Sequence, residues 1–471
     1  MIEQTDRDEG VMATPSGTPA VTQALIDRVY DRLEAGLPDH VIERAKHVVL
    51  DWMTATCAAR DTKEVQSIRA ALLPVAGTGS AAVVGGDETA DILTATIING
   101  TAAHMLEIDD TMAVMHGHPS GVVAAILALA GHEGATGREA LVAIAAGYEA
   151  ATHLGMTLDG TMHHAGFEGT GIVGTVAAAV ACGVLLGLGR REMEDAIGIV
   201  TSTQAAGLRS VTGTSTKSLL AGTGGQRGMI SALMARSGFG GPARSIEHPF
   251  GLAAAVSDHT TGWVTLPDMG ERYGIERTVF KYYSACHALH SSIESVESLK
   301  DDGRPFAPDE IASVRIALAP RVMEIANVPE PTTTLQARFS ARHIVSAYLT
   351  GLPKNASPLG PEGLASPELA TLRRRVEVVA DDALGADAFT GLDLVSHVEV
   401  VTADGAVRKA SVPARGVAAP DELADQWQRL GRKAAEFAPA SLGDDWAGAV
   451  IEAVGALDRA DGVDAVTALL R

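Results

Sequence analysis

One short stretch of the chain concentrates side chains that can exchange protons. Its members are His104, Glu107, Asp109, Asp110, Thr111, His116 and His118. Imidazole and carboxyl groups are frequent general acids and bases, because their surroundings can bring their pKa close to the working pH. Solvated surface charges would be the plainer explanation, but this stretch lies between apolar helical segments. We therefore predict an acid–base pocket here.

The stretch ends in a signal for the start of a helix. Pro119 follows His118, and the apolar run VVAAILALA begins at Val122. Proline is favoured at the first helical position, and the N–H groups of a first turn bind anions. A carboxylate is thus the expected ligand. Mixed histidine and carboxylate ligands could instead hold a metal, although the spacing matches no specific metal motif.

A second group of reactive side chains lies in KYYSACHALHSS at 281–292, which contains Lys281, Cys286, His287 and His290. If this segment is helical, the two histidines share one face. Buried structural histidine and a small apolar cysteine are the alternative. Four such groups at a point where the composition changes favour a site at a domain boundary.

Two nucleotide-binding motifs lack the context they need. Residues 169–174 read GTGIVG, but the preceding TMHHAGFE is not the hydrophobic strand that a dinucleotide fold requires. Lys217 in GTSTKS lacks the preceding glycine of a phosphate-binding loop. Neither motif predicts nucleotide binding.

Composition limits the partners and the core. The 471 residues carry a net charge of −21, which excludes nucleic acid and anionic membranes as main partners because phosphate binding needs clustered Lys and Arg. Aromatic residues make up only 4%, and there are 50 glycines, so we expect closely packed helices. Three scattered cysteines form no CxxC pair, which argues against a zinc ribbon or disulfides and favours the cytoplasm.

Hydrophobic periodicity changes along the chain. The first half repeats apolar residues every three or four positions, as at 39–59, and helical spacing returns after about 419. The uncharged run 169–189 could span a bilayer by length, but its Gly/Ala-rich composition favours a buried helix. Period-two alternation indicates strands, with Asp404-Gly405 as a hairpin turn. The alternating segments are 312–318, 374–380 and 396–414.

Several segments in order resemble the MmgE/PrpD family, which includes 2-methylcitrate dehydratases, cis-aconitate decarboxylases and iminodisuccinate epimerases. They are NGTAAHMLEIDDT (99–111), HPSG (118–121), GFEGTGIVGTVAAA (166–179), GTSTKSLLAG (213–222), GFGGP (238–242), KYYSACHALH (281–290) and ARFSARHIVSAYLTG (337–351).

The resemblance implies a mainly α fold in which a large all-helical domain, built from N- and C-terminal segments, carries a smaller α+β lid domain. It also implies a homodimer, an active site between the domains, and no metal or iron–sulfur cofactor. The expected ranges are 1–20 for a disordered tail, 21–264 and 416–471 for the helical domain, and 265–415 for the lid.

Carried over by position, the resemblance also implies the site residues. Those expected to be catalytic are Lys217, His118, His287, Asp109 and Cys286. Those expected to bind the substrate are Glu107, Asp110, Thr111, Glu168, Lys281 and His343.

Departures from the family pattern bear on the substrate. Glu168 stands where a histidine is common, and Leu220 and Thr223 replace a histidine and an arginine. Cys286 replaces the catalytic histidine of the decarboxylases, and His343 falls where some members have tyrosine. Up to two positive charges are lost and one negative charge is gained in a low-dielectric pocket. We expect a small carboxylate with fewer carboxyl groups than methylcitrate or aconitate.

The resulting hypothesis is a cofactor-independent lyase, either a dehydratase or a decarboxylase. Lys217, with a pKa lowered by burial, or His287 would be the base, and His118 or a protonated aspartate the acid. An isomerase or epimerase that abstracts the same proton is the first alternative. A metal-dependent hydrolase and a non-catalytic binding protein remain further alternatives.

Overall fold

The computed structural model is mainly α-helical, with two small sheets among the residues it describes, which confirms the predicted fold class. Residues 1–16 of the predicted tail lie outside the described residues. Both predicted domain boundaries, 264/265 and 415/416, also lie outside them. The structure describes residues 17–158, 161–257, 268–351, 360–384, 394–414 and 420–471.

Helices dominate the first half because apolar residues recur with helical spacing. An antiparallel pair of two-residue strands, β1 (Ala81–Ala82) and β2 (Thr89–Ala90), interrupts them. The helices are α1 (Val21–Glu34), α2 (Asp39–Ala58), α3 (Lys63–Leu72), α4 (Ile92–Met105), α5 (Ser120–Glu133), α6 (Gly137–Leu158), α7 (Thr161–His164), α8 (Gly169–Leu185), α9 (Arg190–Thr203), α10 (Thr216–Arg236) and α11 (Leu252–Ala255).

Small residues let these helices approach at backbone distance, as the composition predicts. A Cβ added to Gly121 of α5 would lie 2.3 Å from the carbonyl oxygen of Ala221 in α10. A Cβ on Gly225 of α10 would lie 2.4 Å from the carbonyl oxygen of Gly121. Helix α8 packs against α5, α6 and α10, so the uncharged segment is a buried helix. Among the described helices, none has both the length and the apolarity that crossing a bilayer requires.

The glycines of GTGIVG have a packing role. Helix α8 starts at Gly169 and follows helix α7, so the dinucleotide-binding context is indeed missing. A Cβ on Gly169 would come 1.8 Å from the carbonyl oxygen of Met115, and one on Gly171 would come 2.2 Å from that of Ala206. The segments that contain Met115 and Ala206 both lead to residues of the candidate site described below.

Helix α5 begins at Ser120, one residue later than predicted, with Pro119 as its N-cap.

The second half contains the predicted strands. Strand β3 pairs in parallel with β4 and antiparallel with β5, and the sheet order is β4-β3-β5-β6. The turn at Asp404-Gly405 joins β5 and β6, which confirms the hairpin. The elements are α12 (His290–Ser298), β3 (Ile311–Leu318), α13 (Pro320–Ala326), α14 (Thr334–Arg338), α15 (Ala341–Leu349), α16 (Pro361–Ala365), α17 (Pro367–Arg373), β4 (Val376–Ala380), β5 (His397–Thr402) and β6 (Val407–Ala410).

The chain then returns to the first helices through α18 (Leu423–Phe437), α19 (Trp446–Gly455) and α20 (Asp464–Thr467). Helix α18 packs on α2, so its buried residues join the core that the first helices form. A separate hydrophobic core lies among residues 283–414. We propose that these two cores correspond to the helical and α+β domains expected from the sequence.

The close crossing of α5 and α10 makes Gly121→Ala a test of the packing. We expect a loss of about 1–3 kcal/mol in the free energy of unfolding, because the new methyl group forces two backbones apart. Gly448→Ala in α19 is the control, since a Cβ there meets nothing within 4 Å. Chemical denaturation should show no loss for the control. Equal stability of both variants would contradict the backbone contact.

Candidate active site

A cavity of about 360 Å³ opens between segments that belong to the two cores. Its wall includes eight of the eleven residues predicted from the sequence, and Asp109, Asp110 and His343 are the exceptions. The eight are Glu107, Thr111, His118, Glu168, Lys217, Lys281, Cys286 and His287.

A single buried carboxylate lies between two ammonium groups in this wall. Oε1 of Glu107 accepts a hydrogen bond of 2.5 Å from Nζ of Lys217, and Oε2 accepts one of 2.8 Å from Nζ of Lys281. Lys217 comes from the first turn of α10, and Lys281 precedes α12. All three side chains are buried. Two cations share one anion, so one positive charge is in excess.

This pairing sets the charge state of all three groups. Burial acts to raise the pKa of Glu107, but Lys217 and Lys281 outweigh it and hold the pKa well below its usual value. Burial acts to lower the pKa of Lys217, but Glu107 and Glu168 outweigh it, so that pKa is raised. Lys217 therefore stays protonated. The condition for Lys217 as a base, a pKa lowered by burial, is not met.

Asp109 acts on the cavity through His104. Nδ1 of His104 lies 3.0 Å from both carboxylate oxygens of Asp109, and Nε2 lies 2.8 Å from Nζ of Lys217. A carboxylate accepts hydrogen bonds, so Nδ1 donates and Nε2 accepts from the ammonium group. Asp109, predicted to be catalytic, does not line the cavity. It orients the imidazole that in turn holds Lys217.

His118 presents one ring nitrogen to the cavity. Its Nδ1 lies 2.8 Å from the carbonyl oxygen of Asp110, and because a carbonyl only accepts, Nδ1 carries the hydrogen. Its Nε2 lies 3.9 Å from Oε2 of Glu107. Burial, then Lys281, lower the pKa of His118 to about 3 against the opposing effect of Asp109. His118 is a neutral imidazole whose Nε2 can accept a proton.

Asp110 is directed away from the cavity and Thr111 lies in its wall. The Asp110 carboxyl accepts a hydrogen bond of 2.7 Å from the Tyr148 hydroxyl. Burial, then Asp51, raise the pKa of Asp110 well above its usual value. The substrate contact predicted for Asp110 is therefore not found in the wall. Thr111 exchanges backbone hydrogen bonds with Val279, which ties the acidic loop to the segment before Lys281.

The backbone at Glu107 is strained and is held from one side by the second half of the chain. Its φ is +55°, a left-handed conformation that costs a non-glycine residue about 1–2 kcal/mol. The carbonyl of Leu106 accepts a hydrogen bond of 2.6 Å from Oγ of Ser284. Nε of Arg338 donates in turn to Oγ of Ser284 at 2.9 Å. These contacts fix the peptide group that precedes Glu107.

Helix α18 contacts the backbone on the other side of Glu107. Nζ of Lys433 donates to the carbonyl of Ile108 and to Oδ1 of Asp51, each at 2.5 Å. Burial raises the pKa of Asp51 to about 6, against the effect of Lys433. Lys433 therefore links α18, α2 and the peptide group between Ile108 and Asp109.

The remaining predicted residues occupy different surroundings. Cys286 and His287 line the cavity where a 3₁₀ turn begins, and burial raises the pKa of the Cys286 thiol. Burial also raises the pKa of Glu168, although Lys217 opposes it. His343 lies in α15, where its Nδ1 is 2.9 Å from Nη1 of Arg373. Its predicted substrate contact is not supported, because it packs within the smaller core.

Two residues of the wall, the cationic Arg209 and the histidine His163, were not predicted from the sequence. Arg209 donates from Nη1 to the carbonyl of His163 at 3.2 Å, and its backbone N–H donates to the carbonyl of Gly166 at 2.9 Å. The ring of His163 stacks on that of His116, with centroids 5.2 Å apart. His116, His163 and Arg209 come from three separate parts of the chain, so no local spacing signals the group. Glu324 and Phe339 also line the cavity.

Metal binding was a further hypothesis, and the described residues contain one group with ligand atoms close enough for it. The group is His104, Glu107 and His118, whose ligand atoms lie within 4.8 Å of one another. Nε2 of His104 and both oxygens of Glu107 already lie at hydrogen-bond distance from lysine ammonium groups. A divalent cation here would have to displace two like charges. The geometry fits ammonium pairing better than metal coordination.

Comparison with known proteins assigns the chain to a family. The model of the MmgE/PrpD N-terminal domain matches residues 29–262, and that of the MmgE/PrpD C-terminal domain matches residues 283–458. The chain belongs to the MmgE/PrpD family.

Relatives with assigned names are distant. A cis-aconitate decarboxylase-like protein of Aspergillus oryzae is 25% identical over 363 residues, which are 72% of this chain and 74% of that protein. Cis-aconitate decarboxylase of Homo sapiens is 24% identical over 351 residues, 70% of each chain. That of Aspergillus terreus is 24% identical over 279 residues, 56% of this chain and 57% of that protein. Together these similarities support a lyase-type function.

Replacing Glu107 tests the charge arrangement. Glu107→Gln leaves two buried ammonium groups without their anion, and we expect a loss of about 3–5 kcal/mol in the free energy of unfolding at neutral pH. Because the folded-state pKa of Glu107 is depressed, its contribution is complete above the unfolded-state pKa and fades as the pH falls below about 4. The measurement is denaturant unfolding across this pH range.

Glu377→Gln is the control, because Glu377 forms an exposed ion pair with Arg315 at 3.7 Å. Such pairs contribute little, so the control should match the wild type at every pH. A Glu107→Gln variant as stable as the control would contradict the proposed role of the carboxylate.

Proposed function

We propose that this cavity is the active site of a metal-independent lyase that acts on a small acid. A dehydratase would remove a proton next to the carboxylate, and a decarboxylase would release the carboxylate as carbon dioxide and protonate the carbon left behind. The observation that carries the proposal is a neutral His118 whose Nε2 faces the same cavity as two ammonium groups. Proton abstraction beside a carboxylate needs both a base and positive charge.

In this mechanism the substrate carboxylate binds beside Lys217 and Lys281. Nε2 of His118 accepts the proton from the neighbouring carbon, and the negative charge moves onto the carboxylate oxygens. The excess positive charge of the lysine pair stabilises it there. An anion beside Lys281 offsets the field that lowers the pKa of His118, so binding of the substrate makes His118 a stronger base.

Glu168 is suited to assist the leaving group. Its raised pKa favours the protonated carboxyl, and the side chain lines the cavity. In a dehydration, the carbon–oxygen bond breaks, the hydroxyl takes the Glu168 proton and leaves as water, and the electron pair of the broken carbon–hydrogen bond forms the double bond. From the sequence we predicted Lys217 or His287 as the base and His118 or a protonated aspartate as the acid. The proposed mechanism instead has His118 as the base and Glu168 as the acid.

The charges of the cavity limit the substrate. Arg209, Lys217 and Lys281 are cationic, whereas Glu107, Glu168 and Glu324 carry carboxyl groups. A tricarboxylate would bring three negative charges to a wall with little surplus positive charge, which supports a substrate with fewer carboxyl groups. The homodimer and the cytoplasmic location stay predictions.

Hydrogen–deuterium exchange tests the base. A panel of small hydroxy, amino and unsaturated acids is incubated with the enzyme in deuterated water, and mass spectrometry reads deuterium uptake beside the carboxylate. We expect His118→Gln to slow the exchange of a responsive acid by about 10²–10⁴-fold. His397→Gln on the exposed face of β5 is the control. Exchange at the wild-type rate in His118→Gln would remove His118 from the mechanism.

The products of the same panel test the reaction class and the charge limit. Loss of water, loss of carbon dioxide and an unchanged mass distinguish a dehydratase, a decarboxylase and an epimerase. We expect cis-aconitate and 2-methylcitrate to react at least about 100-fold less efficiently than the best acid with fewer carboxyl groups, a difference of roughly 2.7 kcal/mol. Ordinary turnover of either tricarboxylate would show that the charge argument is wrong.

A further inference from the structure

Arg209 differs from the two lysines of the cavity in its partners. Lys217 and Lys281 each bind Glu107, but no carboxylate of the described residues forms an ion pair with Arg209. Glu168 and Glu324 line the same cavity without reaching ion-pair distance from its guanidinium. The hydrogen bond to the carbonyl of His163 uses one of five N–H donors. Charge and donors thus remain for a ligand.

The imidazole of His163 adds a second polar group without a partner. Both ring nitrogens are buried and have no hydrogen-bond partner, although the residue lines the cavity. Burial, followed by Arg209, lowers the pKa of His163 to about 3, so the ring is neutral and carries one N–H donor. A buried polar group without a partner is costly. Both nitrogens are shielded in this conformation, so a ligand in the cavity would bind the N–H only after the imidazole rotates toward the space that the residue lines.

The backbone around Arg209 is fixed before any ligand arrives. Phe167 and Leu208 form an antiparallel bridge. The N–H of Arg209 donates to the carbonyl of Gly166 at 2.9 Å, and the N–H of Glu168 donates to that of Gly207 at 3.1 Å. The guanidinium of Arg209 is itself held by its hydrogen bond to the carbonyl of His163. Such preorganisation lowers the entropy cost of binding.

We propose that Arg209 and His163 form an anion subsite that binds a second carboxylate of the substrate, so that the substrate is a small dicarboxylate. The inference rests on the proposed function only in placing the substrate in this cavity. One carboxylate lies beside Lys217 and Lys281, where the reaction takes place, and the other accepts hydrogen bonds from Arg209. A planar guanidinium binds a carboxylate through two parallel hydrogen bonds, which a lysine cannot do.

Calorimetric titration of the full-length protein tests the subsite without turnover. The probes are malonate and succinate as dicarboxylates, acetate as a monocarboxylate, and inorganic phosphate. In the wild type we expect the better dicarboxylate to bind at least about tenfold more tightly than acetate. Arg209→Met should weaken dicarboxylate binding about 10- to 100-fold and leave acetate binding unchanged.

Matched variants separate a local effect from a general one. Arg315→Met removes an exposed arginine of β3 and should bind all probes like the wild type. His163→Phe retains an aromatic ring beside His116 but loses the N–H donor, and should weaken dicarboxylate binding severalfold. It keeps the subsite testable if Arg209→Met fails to fold.

Three results would overturn the proposal. They are a wild type that binds acetate as tightly as dicarboxylates, an Arg209→Met variant that keeps the preference, and Arg209-dependent binding of phosphate in place of dicarboxylates. The proposed function fails separately, because dicarboxylate binding that depends on Arg209 would survive even if His118→Gln exchanged deuterium normally.

Discussion

The carboxylate of Glu107, shared by two ammonium groups, is the interaction on which the site depends. Removing three charged groups from water is costly, and only close pairing repays that cost. The pairing keeps Lys217 and Lys281 charged where the substrate binds. It also joins α10 to the segment before α12. The same interaction therefore sets both the charge balance of the cavity and the placement of the two halves of the chain.

The loop around Glu107 shows how surroundings distinguish similar groups. Glu107 and Asp109 have lowered pKa values because lysine or histidine side chains outweigh their burial, whereas that of Asp110 is raised because burial and Asp51 dominate. The strained backbone at Glu107 lies in a loop whose carboxyl groups face different partners, the two lysines for Glu107 and Tyr148 for Asp110. The contacts of Ser284 and Lys433 hold that backbone in place.

Sequence alone predicted the features that depend on local order. Helices, the hairpin at Asp404-Gly405 and the buried α8 follow from periodicity and turn chemistry, which act over a few residues. Glu107 and His118 were found because they lie close together in the chain. Arg209 and His163 were not predicted because they lie 46 residues apart and a contact with no motif of its own brings them together.

Position within a motif proved a weak guide to side-chain direction. His343 sits in a family-like segment, yet it faces Arg373 in the smaller core, because a helix turns successive side chains by about 100° and only one face meets the cavity. Lys433 shows the converse. Nothing in the amphipathic helix α18 distinguishes this lysine from solvated ones, but the fold buries it against Asp51 and the acidic loop.

The distribution of cations in the cavity constrains the substrate more than their number does. Glu107 neutralises one of the two positive charges of Lys217 and Lys281, so the positive charge that remains there balances one substrate carboxylate. A further carboxylate at the same point would meet no surplus and would face Glu107 itself. In the described part of the wall, Arg209 is the cation not committed to a carboxylate. An acid whose charges are separated therefore suits this cavity better than one that concentrates them.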